Sequence, residues 1–356
     1  MVEHLVYTEE AQVRFLYGPY FYIKMVNEII PPKLKKGDEI RIVAPSRSMA
    51  IISEDGRKTA QEKLEKLGFK ISFGKNVEES DEFSSSSIKS RIEDLHEAFE
   101  DKNVKAIFAV IGGFNSNQLL SYINWDLIKN NPKIFCGYSD ITALQNAIFK
   151  KTGLVTYSGP HFSTFAMKKG FEYIEEYFKK CLIEEGDFEI KASEEWSEDA
   201  WYMNQENRNF KKNKGYIVIN KGKAKGTIIG ANLCTFNLLQ GTEFIPDFED
   251  TILFIEDCVE GQDEFVLHFD RNLQSIIHQP GFESVKGIVI GRFESNSGMT
   301  QEKLIKIIKT KKELDNLPII AYADFGHTFP MITLPIGGKV EIEAKDNKIK
   351  ILIKEH

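Results

Sequence analysis

Apolar residues in this chain fall in short β-branched runs, separated by longer stretches whose apolar positions recur at helical spacing. Glu39-Ile40-Arg41-Ile42-Val43-Ala44 reads as a strand ended by Pro45-Ser46. Residues 53–67 set Ala60, Leu64 and Leu67 on one face, which predicts a helix stopped by Gly68, and Lys70-Ile71-Ser72-Phe73 then predicts a second strand. A helix follows over 87–101. The near-continuous apolar run from Val104 to Ile111 predicts a strand buried on both faces. Next come a helix from about Asn115, the run Ile134-Phe135-Cys136 and a helix from Asp140 to Lys150. Strands alternating with helices imply right-handed crossovers and an open parallel sheet, which binds its ligands at the carboxyl ends of its strands.

Between about 165 and 222 this alternation dissolves into charged and aromatic sequence, and it resumes at Gly226-Thr227-Ile228-Ile229-Gly230. The change of texture marks a boundary: a first α/β domain over 25–165, a connecting segment over 166–222, and a second α/β domain over 223–356. The second half predicts strands at 227–229, 252–255 and 286–290 and helices near 232–240, 264–278 and 300–309. It closes in β-rich sequence from Ile332 to Ile353, where apolar and polar residues alternate as on a half-exposed sheet. Residues 1–24, with the aromatic run Phe15-Leu16-Tyr17-Gly18-Pro19-Tyr20-Phe21-Tyr22, form an N-terminal extension of unknown role.

Composition narrows the classes. A chain of 356 residues has room for about two domains with real cores. Forty-six Lys and Arg against 53 Asp and Glu leave a net charge of −7, which argues against nucleic acid or an anionic membrane as the main partner. The run Lys211-Lys212-Asn213-Lys214 is then a solvated loop. Cys136, Cys181, Cys234 and Cys258 form no C-x-x-C pair, so neither a zinc site nor a redox motif is expected, and the thiols read as buried in a reducing compartment. No apolar run reaches about 18 residues and no secretory signal is visible, so the expected location is cytoplasmic.

The chemistry concentrates in Phe135-Cys136-Gly137-Tyr138-Ser139-Asp140. An apolar strand runs through Gly-x-Ser into a helix, which pushes the Ser139 hydroxyl out at the carboxyl end of the sheet as in a nucleophile elbow. The Asp140 N–H, at the helix start, could then meet an oxyanion; alternatively Ser139 or Asp140 only caps the helix. A second strand runs straight into Gly112-Gly113, where backbone without side chains can approach a substrate carbonyl, or simply make a tight turn. A serine nucleophile needs a base and an orienting group. His161 and His327 are the histidines left once terminal and helix-surface ones are set aside, and His327 sits in a Gly/Pro-bounded loop suited to presenting a side chain. Glu256, ending the buried run Ile252-Leu253-Phe254-Ile255, could orient it, could pair with Arg271 or Arg292, or could hold Mg²⁺ with Asp257 and Glu260.

These segments occur in one order: Leu34-x-x-Gly37-Asp38-x-Ile40 to Ala44-Pro45-Ser46, Gly112-Gly113, Gly137-Tyr138-Ser139-Asp140, Gly230-x-Asn232-Leu233, Glu256-Asp257, and Gly326-His327-Thr328 to Leu334-Pro335-Ile336-Gly337. Together they resemble the serine LD-carboxypeptidase family, including its MccF-like (microcin C immunity peptidase) branch, from about Ile30 to Ile353. The resemblance implies a cytoplasmic, metal-free and cofactor-free serine peptidase with an N-terminal Rossmann-like domain, commonly a homodimer. It carries a Ser-Glu-His triad onto Ser139, Glu256 and His327, and an oxyanion hole onto the N–H groups of Gly113 and Asp140. Gly112 and Asn232 become expected substrate contacts. Trp196 and Trp201 lie in a stretch resembling the longer, tryptophan-bearing loop of the MccF-like branch, and either could stack on a purine or pack the loop onto the body. Two substrates stay open: a peptidyl or aminoacyl nucleotide, and a murein tetrapeptide losing its terminal D-alanine. A catalytically silent ligand-binding protein is the alternative from another class. Gly326, where that branch often carries Cys, and Ala231, where Gly is usual, depart from the pattern.

Overall fold

The computed structural model describes residues 28–259, 264–346 and 348–356, so the expected N-terminal extension lies outside the described residues. The first sheet takes β1 (Glu39–Val43), β2 (Lys70–Phe73), β3 (Val104–Ala109), β4 (Ile134–Gly137) and β5 (Thr156–Ser158), parallel, in the spatial order 2-1-3-4-5. This is the expected open parallel sheet. Between its strands run α1 (Glu54–Lys66), α2 (Ile88–Glu100), α3 (Trp125–Asn130) and α4 (Thr142–Thr152). Their starts are written in the sequence: Ser53, Ser87 and Asn124 each accept a backbone N–H of the first turn, and Gly153 ends α4 at φ +80°. The helix expected from Asn115 is only a short 3₁₀ turn, Ser116–Leu119.

After α5 (Glu172–Leu182) come β6 (Phe188–Ile190), a small ribbon of β7 (Glu195–Trp196) and β8 (Lys211–Lys212), and β9 (Ile217–Asn220). The second sheet then adds β10 (Gly222–Asn232), α6 (Leu233–Asn237), β11 (Thr251–Glu256), α7 (Phe265–Ile277), β12 (Gly287–Gly291), α8 (Gln301–Lys309) and β13 (Ile319–Ala323). Strands β10 to β13 are parallel neighbours. The β-rich end supplies β14 (Leu334–Ile336), β15 (Lys339–Lys345) and β16 (Lys348–Glu355). The sheets cut across the expected division of the chain: β14 pairs antiparallel with β5 in the first sheet, while β6 and β9 of the connecting segment form the two edges of the second. Strand pairing answers to hydrogen bonds between distant residues, which local texture does not report.

Each central strand feeds two cores. Ile42 and Phe108 face one cluster while Val43 and Ile107 face the other, and Phe254 and Leu253 divide in the same way. Burial on both faces is why β11 and most of β3 read as apolar runs, while β1 keeps Glu39 and Arg41 at half-buried positions. The halves are tied through α4. Asn146 donates from Nδ2 to Gly230 O at 2.8 Å and accepts from Gly230 N at 3.1 Å, and Thr142 Oγ1 accepts from Asn232 N at 3.2 Å. Among the described residues no helix is long and apolar enough to cross a membrane.

Candidate active site

Where β4 ends, Tyr138 is extended and Ser139 turns to φ +61°, a backbone region that costs a non-glycine residue on the order of 1–3 kcal/mol. The chain then enters a 3₁₀ turn, Ser139–Ile141, that runs into α4. This is the geometry of a nucleophile elbow. Gly137 lets it form, because a Cβ there would lie 3.1 Å from Ala109 Cβ and from Ile141 Cγ1.

His327 meets this hydroxyl from the loop after β13. Its Nε2 lies 3.0 Å from Ser139 Oγ and its Nδ1 lies 2.8 Å from Glu256 Oε2. Glu256 is 2% exposed at the last position of β11, paired in register with Asn232 of β10. Asn232 Nδ2 donates to Glu256 Oε1 at 3.2 Å. Burial resists the charged imidazole, yet the Glu256 carboxylate, with hydrogen bonds to it and to Cys258, holds the His327 pKa well above its ordinary value. Of the alternatives for Glu256, Arg292 is engaged by Asp324 at 3.0 Å, and the described residues contain no cluster suited to a metal ion. Glu260 lies outside the described residues.

The Gly112-Gly113 turn sits against the elbow. A Cβ on Gly112 would lie 2.9 Å from Ser139 Cβ and 3.1 Å from its Oγ, and one on Gly113 would lie 2.3 Å from Ser46 Oγ. Both glycines are therefore required by close approach. Asp140 has a function its position did not announce: its carboxylate accepts from Ser46 Oγ (2.5 Å), Asn115 N (3.0 Å) and Ser116 N (2.8 Å). It thereby ties the ends of β1 and β3 to the elbow, and Arg91 braces the same turn through Pro45 O and Asn115 O.

Two of the expected substrate contacts, Asn232 and Trp201, are buried. Asn232 is buried, donating to Glu256 while its Oδ1 accepts from Thr235 N at 3.1 Å, so its side chain orients Glu256 rather than facing open space. Trp201 is buried edge-on against Phe329, 6.2 Å between centroids, and packs its loop onto the body. Trp196 is half-buried, with Lys211 Nζ and the Arg292 guanidinium 4.7 and 5.0 Å from its ring centroid. The same loop is anchored by Asp324, which accepts from Tyr216 OH, Ser193 N and Arg292. Asp324 stands three residues before His327, and a carboxylate closing an apolar strand was the available signal for it. The cysteines are split: Cys136 and Cys181 are buried, Cys234 and Cys258 half-buried.

Profiles of the LD-carboxypeptidase N-terminal and C-terminal domains match residues 40–159 and 225–342. The Bacillus subtilis protein YocD, which carries a carboxypeptidase name, is 55% identical over 324 residues, 91% of this chain and 99% of its own. The microcin C7 self-immunity protein MccF of Escherichia coli is 30% identical over 339 residues, 91% and 95% of the two chains. The crystal structure of an MccF-like protein from Bacillus anthracis superimposes with a TM-score of 0.91 at 52% identity, covering 92% of this chain and all of that one. Matched in both halves and along nearly all its length, the chain belongs to the LD-carboxypeptidase family, whose members are serine carboxypeptidases.

Proposed function

We propose that Ser139, His327 and Glu256 act as nucleophile, general base and orienting carboxylate in hydrolysis of an amide next to a terminal group. The observation that carries this is the hydrogen-bonded chain from Ser139 Oγ through both nitrogens of His327 to buried Glu256. His327 Nε2 takes the hydroxyl proton as Ser139 Oγ attacks the amide carbon. The carbonyl oxygen gathers charge beside the N–H groups of Gly113 and Asp140, with Gly112 giving the carbonyl room. Collapse breaks the C–N bond, His327 returns the proton to the leaving nitrogen, and water, activated by His327, releases the acyl group from Ser139. Glu256 holds the imidazole in the tautomer with Nδ1–H toward itself and stabilises the imidazolium. Asn232 holds Glu256 in turn.

The substrate we propose is an aminoacyl or peptidyl nucleotide. MccF, similar to this chain over 92% of its length at 30% identity and a TM-score of 0.83, has been crystallised with aspartyl sulfamoyl adenosine, and the loop carrying Trp196 lies beside the His327 loop. Trp196 would contact the nucleoside. A murein tetrapeptide is the second reading, favoured by 30% identity to a Bacillus subtilis protein named "Probable murein peptide carboxypeptidase". The proposal carries with it the cytoplasmic location and homodimer implied by the resemblance. One experiment separates the readings: purified protein is offered an L-Lys-D-Ala tetrapeptide and an aminoacyl sulfamoyl adenosine, with Ser139→Ala as control. Turnover of the tetrapeptide alone refutes the nucleotide reading; activity surviving in Ser139→Ala refutes the mechanism.

A further inference from the structure

One buried histidine next to the elbow has no part in that chemistry. His161 follows β5, is 2% exposed, and stacks on Tyr138 with ring centroids 4.0 Å apart and planes 26° from parallel. Its Nε2 lies 2.9 Å from the Tyr138 carbonyl oxygen and 3.1 Å from the Tyr138 nitrogen. In one tautomer Nε2–H donates to the carbonyl; in the other the Tyr138 N–H donates to Nε2. Either way the ring fixes the residue whose carbonyl begins the peptide to Ser139. Its Cε1 also lies 3.5 Å from where a Cβ of Gly112 would sit, and the Tyr138 ring meets His327 edge-on at 5.5 Å. A single ring thus bonds the backbone that opens the nucleophile elbow, borders the space that a side chain on Gly112 would enter, and through Tyr138 reaches His327.

Such a residue is an expensive choice for packing alone. Nδ1 is buried without a hydrogen-bond partner among the described residues, a penalty an apolar ring of similar size would avoid. Burial also drives its pKa down to about 3, so the ring stays neutral beside His327. From the hydrogen bond and stacking on Tyr138, beside the space that Gly112 leaves open, we infer that His161 is a positioning residue: its Nε2 bond to the Tyr138 backbone holds Ser139 at positive φ, in line with His327 and the Gly112-Gly113 turn. The inference rests on Ser139 being the nucleophile.

Two variants test it. His161→Phe keeps an aromatic ring on Tyr138 but removes the hydrogen bond, whereas His161→Gln can bond either group of the Tyr138 backbone. The readouts are kcat and KM on whichever substrate the wild type turns over, and the rate at which a fluorophosphonate phosphonylates Ser139, which needs no knowledge of the substrate. His161→Phe should lose about 10- to 100-fold in kcat and in phosphonylation rate, the scale of a nucleophile misplaced by up to about 1 Å, with KM unchanged. His161→Gln should recover most of that loss. Equal rates in His161→Phe and wild type overturn the inference, as do equal losses in both variants with their circular dichroism spectra intact. If His161→Phe does not fold, His161→Gln decides by itself, since a 10-fold loss there refutes the hydrogen-bond role. Absence of Ser139 labelling in the wild type refutes the nucleophile and leaves His161 nothing to position.

Discussion

Replacing Gly112 with alanine should disable the site without unfolding the protein. The added methyl carbon would lie 2.9 Å from Ser139 Cβ and 3.1 Å from Ser139 Oγ, whereas carbon atoms rest at about 3.5–4.0 Å. The contact must therefore open by at least about 0.5 Å. Ser139 has little freedom to yield, since its φ of +61° and its 3.0 Å bond to His327 fix it from both sides. The turn must retreat, taking Gly113 N–H from its proposed place beside the developing oxyanion. Losing one such donor costs about 10²–10³ in kcat, or about 2.7–4 kcal/mol of transition-state stabilisation. The assay is kcat/KM together with fluorophosphonate labelling of Ser139, set beside thermal denaturation. Gly186→Ala is the control, because its φ of +90° makes alanine strained while nothing lies within 4 Å of the new Cβ. That control should lose about 1 kcal/mol of stability and keep full activity. If Gly112→Ala retains kcat/KM within about threefold of wild type, the turn is not where the carbonyl is received.

His327 must be neutral to accept the Ser139 proton, and its pKa is raised by Glu256, so kcat/KM should fall with acid along a limb centred above pH 6.5. Glu256→Gln should lower kcat by about 10²–10⁴ and move that limb toward lower pH; a limb that stays in place would refute the pairing. His161 is held near pKa 3 while an unfolded histidine titrates near 6.5, so below pH 6.5 the unfolded state binds the extra proton and stability falls with acid. Between pH 6.5 and 5 this contributes a loss of about 2 kcal/mol, which urea titrations should find missing in His161→Gln. Ala231 sits at φ +106°, so Ala231→Gly should stabilise the fold by about 0.5–1.5 kcal/mol once the added freedom of the unfolded glycine is counted, and a lower melting temperature would contradict the strain.

The parallel core of the first sheet was legible because β3 and β4 are largely buried on both faces and so written as apolar runs closed by Gly-Gly and Gly-x-Ser, with β1 an alternating run closed by Pro. What escaped was anything decided across long separations. The pairing of Leu334–Ile336 with Thr156–Ser158 joins residues more than 170 positions apart, and three apolar residues do not say which sheet they enter. Ser139, Glu256 and His327, the proposed triad, are legible by type and by place at strand ends or in a Gly/Pro-bounded loop, while most of the groups that hold them are not. Asn146 and His161 show their holding role only once each is seen buried against a backbone group, and Ser46 once its hydroxyl is seen donating to the Asp140 carboxylate. Motif and loop point to Asn232 and Trp201, but neither says what the side chain packs on: Asn232 is buried on Glu256 and Trp201 on Phe329.

The two halves of the chain meet at α4, and this explains how residues 188 positions apart hold a 3.0 Å bond. Ser139 is placed by the turn that begins this helix. Glu256 is placed by its register with Asn232, and Asn232 and Gly230 are bonded to Thr142 and Asn146 on the first two turns of the same helix. Ser139 and Glu256 are thus both indexed to one rigid element, with His327 bridging them. A buried amide making two backbone hydrogen bonds to Gly230 contributes on the order of 1 kcal/mol for each bond, and its removal leaves those groups unpaired at about 1–3 kcal/mol each. Gly230 admits no other residue, because a Cβ there would lie 2.5 Å from Phe254 O on the strand that ends in Glu256. The glycine that opens the Gly-x-Asn-Leu segment therefore sets the separation of the two halves, and the asparagine two positions on holds the carboxylate.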